Sequence, residues 1–328
     1  MKELVVISGK GGTGKTSLVA AFASLASGQA VLADCDVDAA DLHLVLEPTI
    51  KHRETFSGGK RARINPDLCI ACGKCESLCR FDAIAPGGPG STACNDCSYC
   101  GRACTTKANS DIQQMLDAQP GVCTASFAID PVACEGCGVC AWFCPANAIE
   151  FTPAINGEWF ISDTRHGPMV HAKLGIAEEN SGKLVSTVRT EARKIAEAAG
   201  LDTIIIDGPP GIGCPVIASV TGSDLVLIVT EPTLSGQHDL DRVAKLTQFF
   251  DIPTMVCINK WDLNPQITAE IELQAHEQGI QLAGRVRYEP AITQAQIQRR
   301  SIHEHLADGA TKDIHTVWET IEQHLGNA

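Results

Sequence analysis

The sequence predicts an α/β fold: a doubly wound, mostly parallel sheet interrupted by a small α+β insertion rich in cysteine. Three observations carry that prediction. Apolar strands alternate with helix-compatible stretches over most of the 328 residues, as in a parallel sheet covered by helices. A glycine-rich loop, Gly9-Lys10-Gly11-Gly12-Thr13-Gly14-Lys15-Thr16, follows the first apolar run and fits G-x-x-x-x-G-K-[ST]. Thirteen of the sixteen cysteines lie between Cys69 and Cys144, where the spacing C-x2-C-x2-C-x3-C occurs three times.

Composition narrows the class. With 44% hydrophobic and 20% charged residues, the chain has the usage of an ordinary globular protein. Its formal charge of −13 argues against non-specific binding to nucleic acid or anionic lipid. No apolar run approaches the ~18 residues of a transmembrane helix, and the first is too short for a signal segment. The expectation is a cytoplasmic chain without a membrane anchor. Thiols there are kept reduced, so dense cysteine points to metal binding rather than disulfides.

In chain order, Glu3 to Ser8 reads as a buried strand because four apolar residues precede the glycines. The loop that follows is built for phosphate: glycines let backbone N–H groups close on oxygens, and the helix opening near Ser17 adds its positive end. Lys15 would reach the β- and γ-phosphates of ATP, and Thr16 would ligate Mg²⁺. Gly11, Gly12, Thr13, Gly14 and Ser17 complete the nucleotide-binding set. A second strand, Ala30 to Ala33, ends in Asp34-Cys35-Asp36, placing carboxylates at a strand's carboxyl end beside the loop. From Glu47 to Gly59 helical period is lost.

The domain bounds expected are 1–59 and 156–328 for the sheet and 60–155 for the insertion, with an extra cysteine-rich segment at about 87–124. After it, Trp159 to Asp163 reads as a strand and Leu184 to Ala199 as a helix. Ile204-Ile205-Ile206-Asp207 presents a second carboxylate to the Mg²⁺ site. Gly208, Pro209, Pro210 and Gly211 follow as a nucleotide-sensing switch, in which the Gly211 N–H could turn toward a γ-phosphate. Leu225 to Thr230 and Thr254 to Asn259 are further strands. Lys312 to Leu325 carries one apolar helical stripe.

Within the insertion, the run ending at Cys144 is followed by Pro145, which completes the bacterial ferredoxin pattern for [4Fe–4S] ligation. CIACGKCESLCRFDAI and CEGCGVCAWFCPANAI are pseudo-repeats of a two-cluster ferredoxin, in which the fourth cysteine of each run ligates the other cluster. One cluster would use Cys69, Cys72, Cys75 and Cys144; the other would use Cys134, Cys137, Cys140 and Cys79. The middle set, Cys94, Cys97, Cys100 and Cys104, departs from that pattern. A third [4Fe–4S] cluster with Cys123 as remote ligand, a zinc or single-iron site, and a transient metal cargo all compete. The third cluster is preferred.

The string KGGTGKT resembles the deviant phosphate loop of the MinD, ParA and nitrogenase iron-protein superfamily, and DGPPGIGCPVIAS, EPTLSG and INKWDLN extend the match. The chain looks like a P-loop ATPase of that superfamily with an inserted ferredoxin domain. The resemblance implies a homodimer, or a heterodimer with a paralogue, around two ATP molecules, with Lys10 crossing to the partner's nucleotide. It implies that Asp36 positions the attacking water, that Asp34 supports Mg²⁺, and that Asn259 and a loop at Pro290 contact the base. Two functions follow. Either ATP hydrolysis drives assembly or delivery of a cluster to a client metalloprotein, or it gates low-potential electron transfer to a redox partner. The extra cysteines favour assembly, since electron transfer needs only two clusters. A ParA-like spatial organiser is disfavoured by the acidity and the ferredoxin runs.

Overall fold

The computed structural model describes residues 1–86, 127–175 and 181–327. The chain divides into two compact units, Met1–Phe56 with Asn156–Ala328, and Ser57–Ile155.

The first unit is a nine-stranded sheet. Its strands are β1 (Lys2–Ser8), β2 (Ala30–Asp34), β3 (Thr49–Phe56), β8 (Gly157–Thr164), β9 (Gly167–Leu174), β10 (Thr203–Pro210), β11 (Leu225–Thr230), β12 (Thr254–Asn259) and β13 (Gln281–Val286). They lie in the order β13-β12-β11-β1-β10-β2-β9-β8-β3. The run from β13 to β9 is parallel, and β8 and β3 add an antiparallel edge.

Successive side chains of a strand point to opposite faces, and here both faces are buried. Val5, Ile7, Ile204, Ile206, Val226 and Ile228 pack on one side beneath the helix Ser181–Ala199 and its neighbours. Leu4, Val6, Leu32, Ile205, Leu227 and Val229 pack on the other, against the helices Lys15–Leu25 and Ala310–Asn327. Near-continuous apolar strands are what such two-sided burial demands. Cys35 and Cys257 lie within these cores. Burial raises both thiols, Cys257 to about 12, as expected of inert packing residues.

Three strands have no clear signature in the sequence. β3 reads TIKHRETF, with only Phe56 buried, so it shows no alternation. β9 sits beside β2, with Met169 pairing Leu32 and His171 pairing Asp34, yet its string GPMVHAKL opens on Gly-Pro. β13 carries Gly284 at φ 153°. Pro290, expected in a loop, instead opens the helix Pro290–Ile297, where Glu289 accepts the Ala291 N–H.

The second unit pairs β4 (Gly59–Ile64) with β7 (Ile149–Ala154) and β5 (Ile84–Pro86) with β6 (Phe127–Ile129), both antiparallel. Two short helices, Lys74–Leu78 and Val139–Trp142, each follow a left-handed glycine, Gly73 and Gly138. Among the described residues its buried apolar cluster is Ala62, Ile64, Ile84 and Ile129, with Phe127, Ile149, Phe151 and several cysteines packed around it. Cys94, Cys97, Cys100, Cys104 and Cys123 lie outside the described residues.

Candidate functional site

In the sheet unit, strand ends deliver the charges. The loop leaves β1 at its carboxyl end, between β10 and β11, the switch point where doubly wound folds bind ligands. Lys15 begins the helix Lys15–Leu25 and is buried. Its Nζ lies 3.0 Å from Asp207 Oδ1 within β10 and 3.4 Å from Asp36 Oδ2 beyond β2. Burial opposes the ammonium charge, but Asp207 and Asp36 outweigh it and hold Lys15 above its ordinary pKa. The lysine is therefore neutralised by carboxylates within its own chain, and a phosphate oxygen would replace one of them.

Asp34 is fully buried, and its two oxygens accept the N–H groups of Asp36 (3.2 Å) and Leu42 (3.3 Å). It therefore shapes the loop that carries Asp36. Burial first, and then the charge of Asp207, push its carboxyl well up. Asp36 is raised for the same first reason, with Lys15 pulling the other way. Three carboxylates sharing one buried ammonium leave excess negative charge, which a divalent cation would offset. Among the described residues, Asp207 Oδ2 and Thr13 Oγ1 are buried polar atoms without a hydrogen-bond partner. With Thr16 at the second position of the helix, this donor set fits Mg²⁺ in kind: hard oxygens beside a phosphate loop.

Asn259 is buried, donates from Nδ2 to Thr13 O at 2.7 Å, and accepts the Lys260 N–H at 3.0 Å. Gly14 sits at φ 91°, and a Cβ there would run into that amide nitrogen. The amide thus braces the loop, and it keeps a second N–H and a second lone pair for the base contact implied by resemblance. Ser17 Oγ receives Gln296 Nε2 at 2.8 Å from the helix begun by Pro290. Gly208, Pro209 and Pro210 belong to β10 itself, and Gly211 donates its N–H to Ser8 O at 2.8 Å. Turning toward a phosphate would cost that bond.

Lys10 pairs within its own chain. Its Nζ is 2.6 Å from Glu231 Oε1 and 3.0 Å from Ser235 Oγ. Lys260 reaches the other Glu231 oxygen at 3.2 Å and Gly12 O at 3.2 Å. Glu231 and Lys260 fall in the strings EPTLSG and INKWDLN, each just past an apolar strand, but sequence reasoning gave neither residue a role.

In the second unit, the eight cysteines of the first and third runs separate into two cavities. One is lined by Cys79, Cys134, Cys137 and Cys140, the other by Cys69, Cys72, Cys75 and Cys144. The cavities hold about 360 and 330 Å³ of empty space, open solvent included, so they are near equals. Each combines three cysteines of one run with the fourth of the other. Walls are largely apolar: Leu78, Phe81 and Ile129 in the first, Ile64, Ile70 and Phe127 in the second. Burial and the neighbouring thiols push Cys140 up to about 11 and raise Cys75. Ala148 N–H donates to Cys144 Sγ at 3.3 Å.

Among the described residues no three His, Cys, Asp or Glu side chains group as ligands of a single metal ion. Thiolates on one tetrahedral ion at about 2.3 Å would stand ~3.8 Å from each other. A [4Fe–4S] cube carries its four cysteines around the outside and holds them farther apart. Four sulfur donors in an apolar-walled cavity fit that group in kind.

Residues 4–302 match the model of the CobQ/CobB/MinD/ParA nucleotide-binding domain. Two uncharacterised proteins of Methanocaldococcus jannaschii are similar along most of the chain. MJ0578 is 32% identical over 265 residues, covering 80% of this chain and 79% of its own length. MJ0579 is 24% identical over 269 residues, covering 80% and 83%. Among solved structures, the septum site-determining protein MinD of Pyrococcus horikoshii with Mg-ADP aligns with a TM-score of 0.55 at 14% identity, covering 99% and 98% of the two chains. The ATP complex of Cyanothece McdA(D38A) aligns with a TM-score of 0.53 at 15% identity, covering 99% and 96%. At such identities the likeness is one of fold. Among the described residues no helix is long and apolar enough to cross a membrane.

Proposed function

This chain belongs to the CobQ/CobB/MinD/ParA nucleotide-binding domain family, and from that premise we propose that it is an ATP-hydrolysing iron–sulfur protein. It pairs with a second copy or a paralogue across two ATP molecules, and it uses the cycle to assemble or deliver a cluster to a client metalloprotein. One observation carries the iron–sulfur part of the reading: eight thiols sort into two four-thiol cavities with the crossed membership of a two-cluster ferredoxin.

The chain's own residues divide the work. Gly11 to Gly14 offer backbone N–H groups to the phosphates, and Asn259 holds that loop in shape. Lys15 gives up an aspartate to bind a phosphate oxygen, and Thr16 and Asp207, with Asp34 behind them, hold Mg²⁺. Asp36 orients water for attack on the γ-phosphorus, and Lys10 of one subunit meets the nucleotide of the other. Cys69, Cys72, Cys75 and Cys144 hold one cluster, and Cys79, Cys134, Cys137 and Cys140 the other. Such clusters, when bound, supply low-potential one-electron chemistry.

That capacity keeps a second reading in play, an ATP-gated electron donor, since the two four-thiol cavities are all that electron transfer needs. The readings separate in one experiment. Protein carrying labelled iron is mixed anaerobically with an apo-ferredoxin as acceptor, and iron is counted in both fractions before and after ATP. Assembly predicts ATP-dependent transfer of about four irons per cluster moved. Retention of all iron, with ATP-dependent reduction of a viologen dye by the pre-reduced protein in a parallel anaerobic sample, would overturn delivery in favour of electron donation.

A further inference from the structure

Glu231 has no part in the chemistry above, yet it is the most heavily engaged carboxylate at the mouth of the loop. Its two oxygens take Lys10 at 2.6 Å and Lys260 at 3.2 Å. The three side chains are partly exposed, at 33% for Lys10, 28% for Lys260 and 16% for Glu231, so the cluster faces solvent and a partner could reach it. The turn that carries Glu231 is tightly built. Thr230 Oγ1 donates to Gly236 O, and the Thr233 hydroxyl accepts the Gly236 N–H to cap the helix Leu234–Phe249. A Cβ at Gly236 would strike the Glu231 carbonyl oxygen. Ser235, on the same turn, supplies the second contact to Lys10 at 3.0 Å. Lys260, in the left-handed region at φ 58°, ties the same carboxylate to Gly12 O.

We propose that Glu231 is a positioning residue that latches Lys10 onto its own subunit and must release it before that lysine can reach nucleotide bound by a second copy of this chain. The inference rests on the reading that Lys10 acts across a dimer. It adds that the monomer holds the lysine back, so the latch sets the protein concentration at which hydrolysis begins. Lys10 Nζ exchanges one anionic partner, the Glu231 carboxylate, for another, a phosphate oxygen. Glu231 keeps Lys260, so its charge is not left unpaired when Lys10 departs.

The test is the concentration dependence of ATPase rate and of dimerisation, the latter by sedimentation with a non-hydrolysable ATP analogue. A partly exposed pair of this kind shifts an equilibrium by up to about fivefold. Two lysines leave per dimer, so Glu231→Gln should tighten dimerisation by up to about 25-fold and lower the half-activating concentration accordingly. Ser235→Ala should act in the same direction, by less. In a Lys10→Ala background Glu231→Gln should have no further effect. Unchanged or weaker dimerisation of Glu231→Gln, or an equal effect in the Lys10→Ala background, would overturn the latch. If Lys10→Ala itself leaves hydrolysis and dimerisation intact, the trans-acting reading of Lys10 fails instead.

Discussion

The two units hold their candidate sites in opposite ways. In the sheet unit the phosphate loop is surrounded by polar groups gathered from far along the chain: Asp36 follows β2, Asp207 lies within β10, Glu231 follows β11 and Asn259 ends β12. These side chains already satisfy one another, Lys15 with Asp207 and Asp36, Lys10 with Glu231. Behind them stand two extensive apolar cores. In the cysteine unit each cavity is built from two short runs of sequence, and among the described residues the apolar cluster beside the thiols centres on Ala62, Ile64, Ile84 and Ile129. A sheet with that much buried surface stands without its ligand. In the cysteine unit thiols pack against that cluster, so metal bound there would couple to the folding of the unit.

The contrast can be broken most forcefully at the thiols. Cys79→Ser and Cys144→Ser should each remove about four irons, from different clusters, and should abolish the thermal transition of the 57–155 unit while far-UV circular dichroism of the sheet persists. Equal loss from one and the same cluster would contradict the crossed ligand sets. Next in size is Lys15→Ala, which takes the shared ammonium away from Asp207 and Asp36. It should abolish ATP binding by calorimetry, and unaltered affinity would overturn the loop's assignment.

A cut in the sheet core should do the reverse of the thiol variants. Ile206→Ala, at a fully buried position, should cost about 2–5 kcal/mol of sheet stability in denaturant melts and leave the iron content alone. Iron loss in that variant would show that the units do not stand separately. The smallest effect is expected at the clamp where Arg165 donates to Glu304 and to the carbonyls of Val45, Leu46 and Arg299. Burial alone would raise the Glu304 carboxyl, but Arg165 and Ser301 bring it down to about 2. A depressed carboxyl stabilises above its unfolded pKa and loses that contribution as pH falls toward 2. Glu304→Gln should therefore cost about 1 kcal/mol or less at pH 7, since the pair is partly exposed. The difference from wild type should vanish as pH falls toward 2.

What the sequence disclosed follows the same division. Runs such as Ile204–Ile206 and Leu225–Val229 read as buried strands because burial on both faces leaves nothing but apolar residues there. β3 could not be read, since seven of its eight residues are exposed and an edge strand on that side needs no alternation. The grouping of the eight cysteines of the first and third runs into two cavities follows the local spacing of those runs. The Glu231 clamp was not legible, because it joins Lys10 to a residue 221 positions away, and no periodicity records such a meeting. Asn259 was singled out for a base contact; its bonds to Thr13 and Lys260, which brace the phosphate loop, left no mark in the sequence.

The central claim, that the 57–155 unit is an iron–sulfur module, is tested most directly by counting iron and acid-labile sulfide in anaerobically purified protein. The account predicts about eight of each per chain from the two cavities, and about twelve where the Cys94–Cys104 set carries a third cluster. Protein free of sulfide, or holding one or two zinc ions in place of iron, would contradict it.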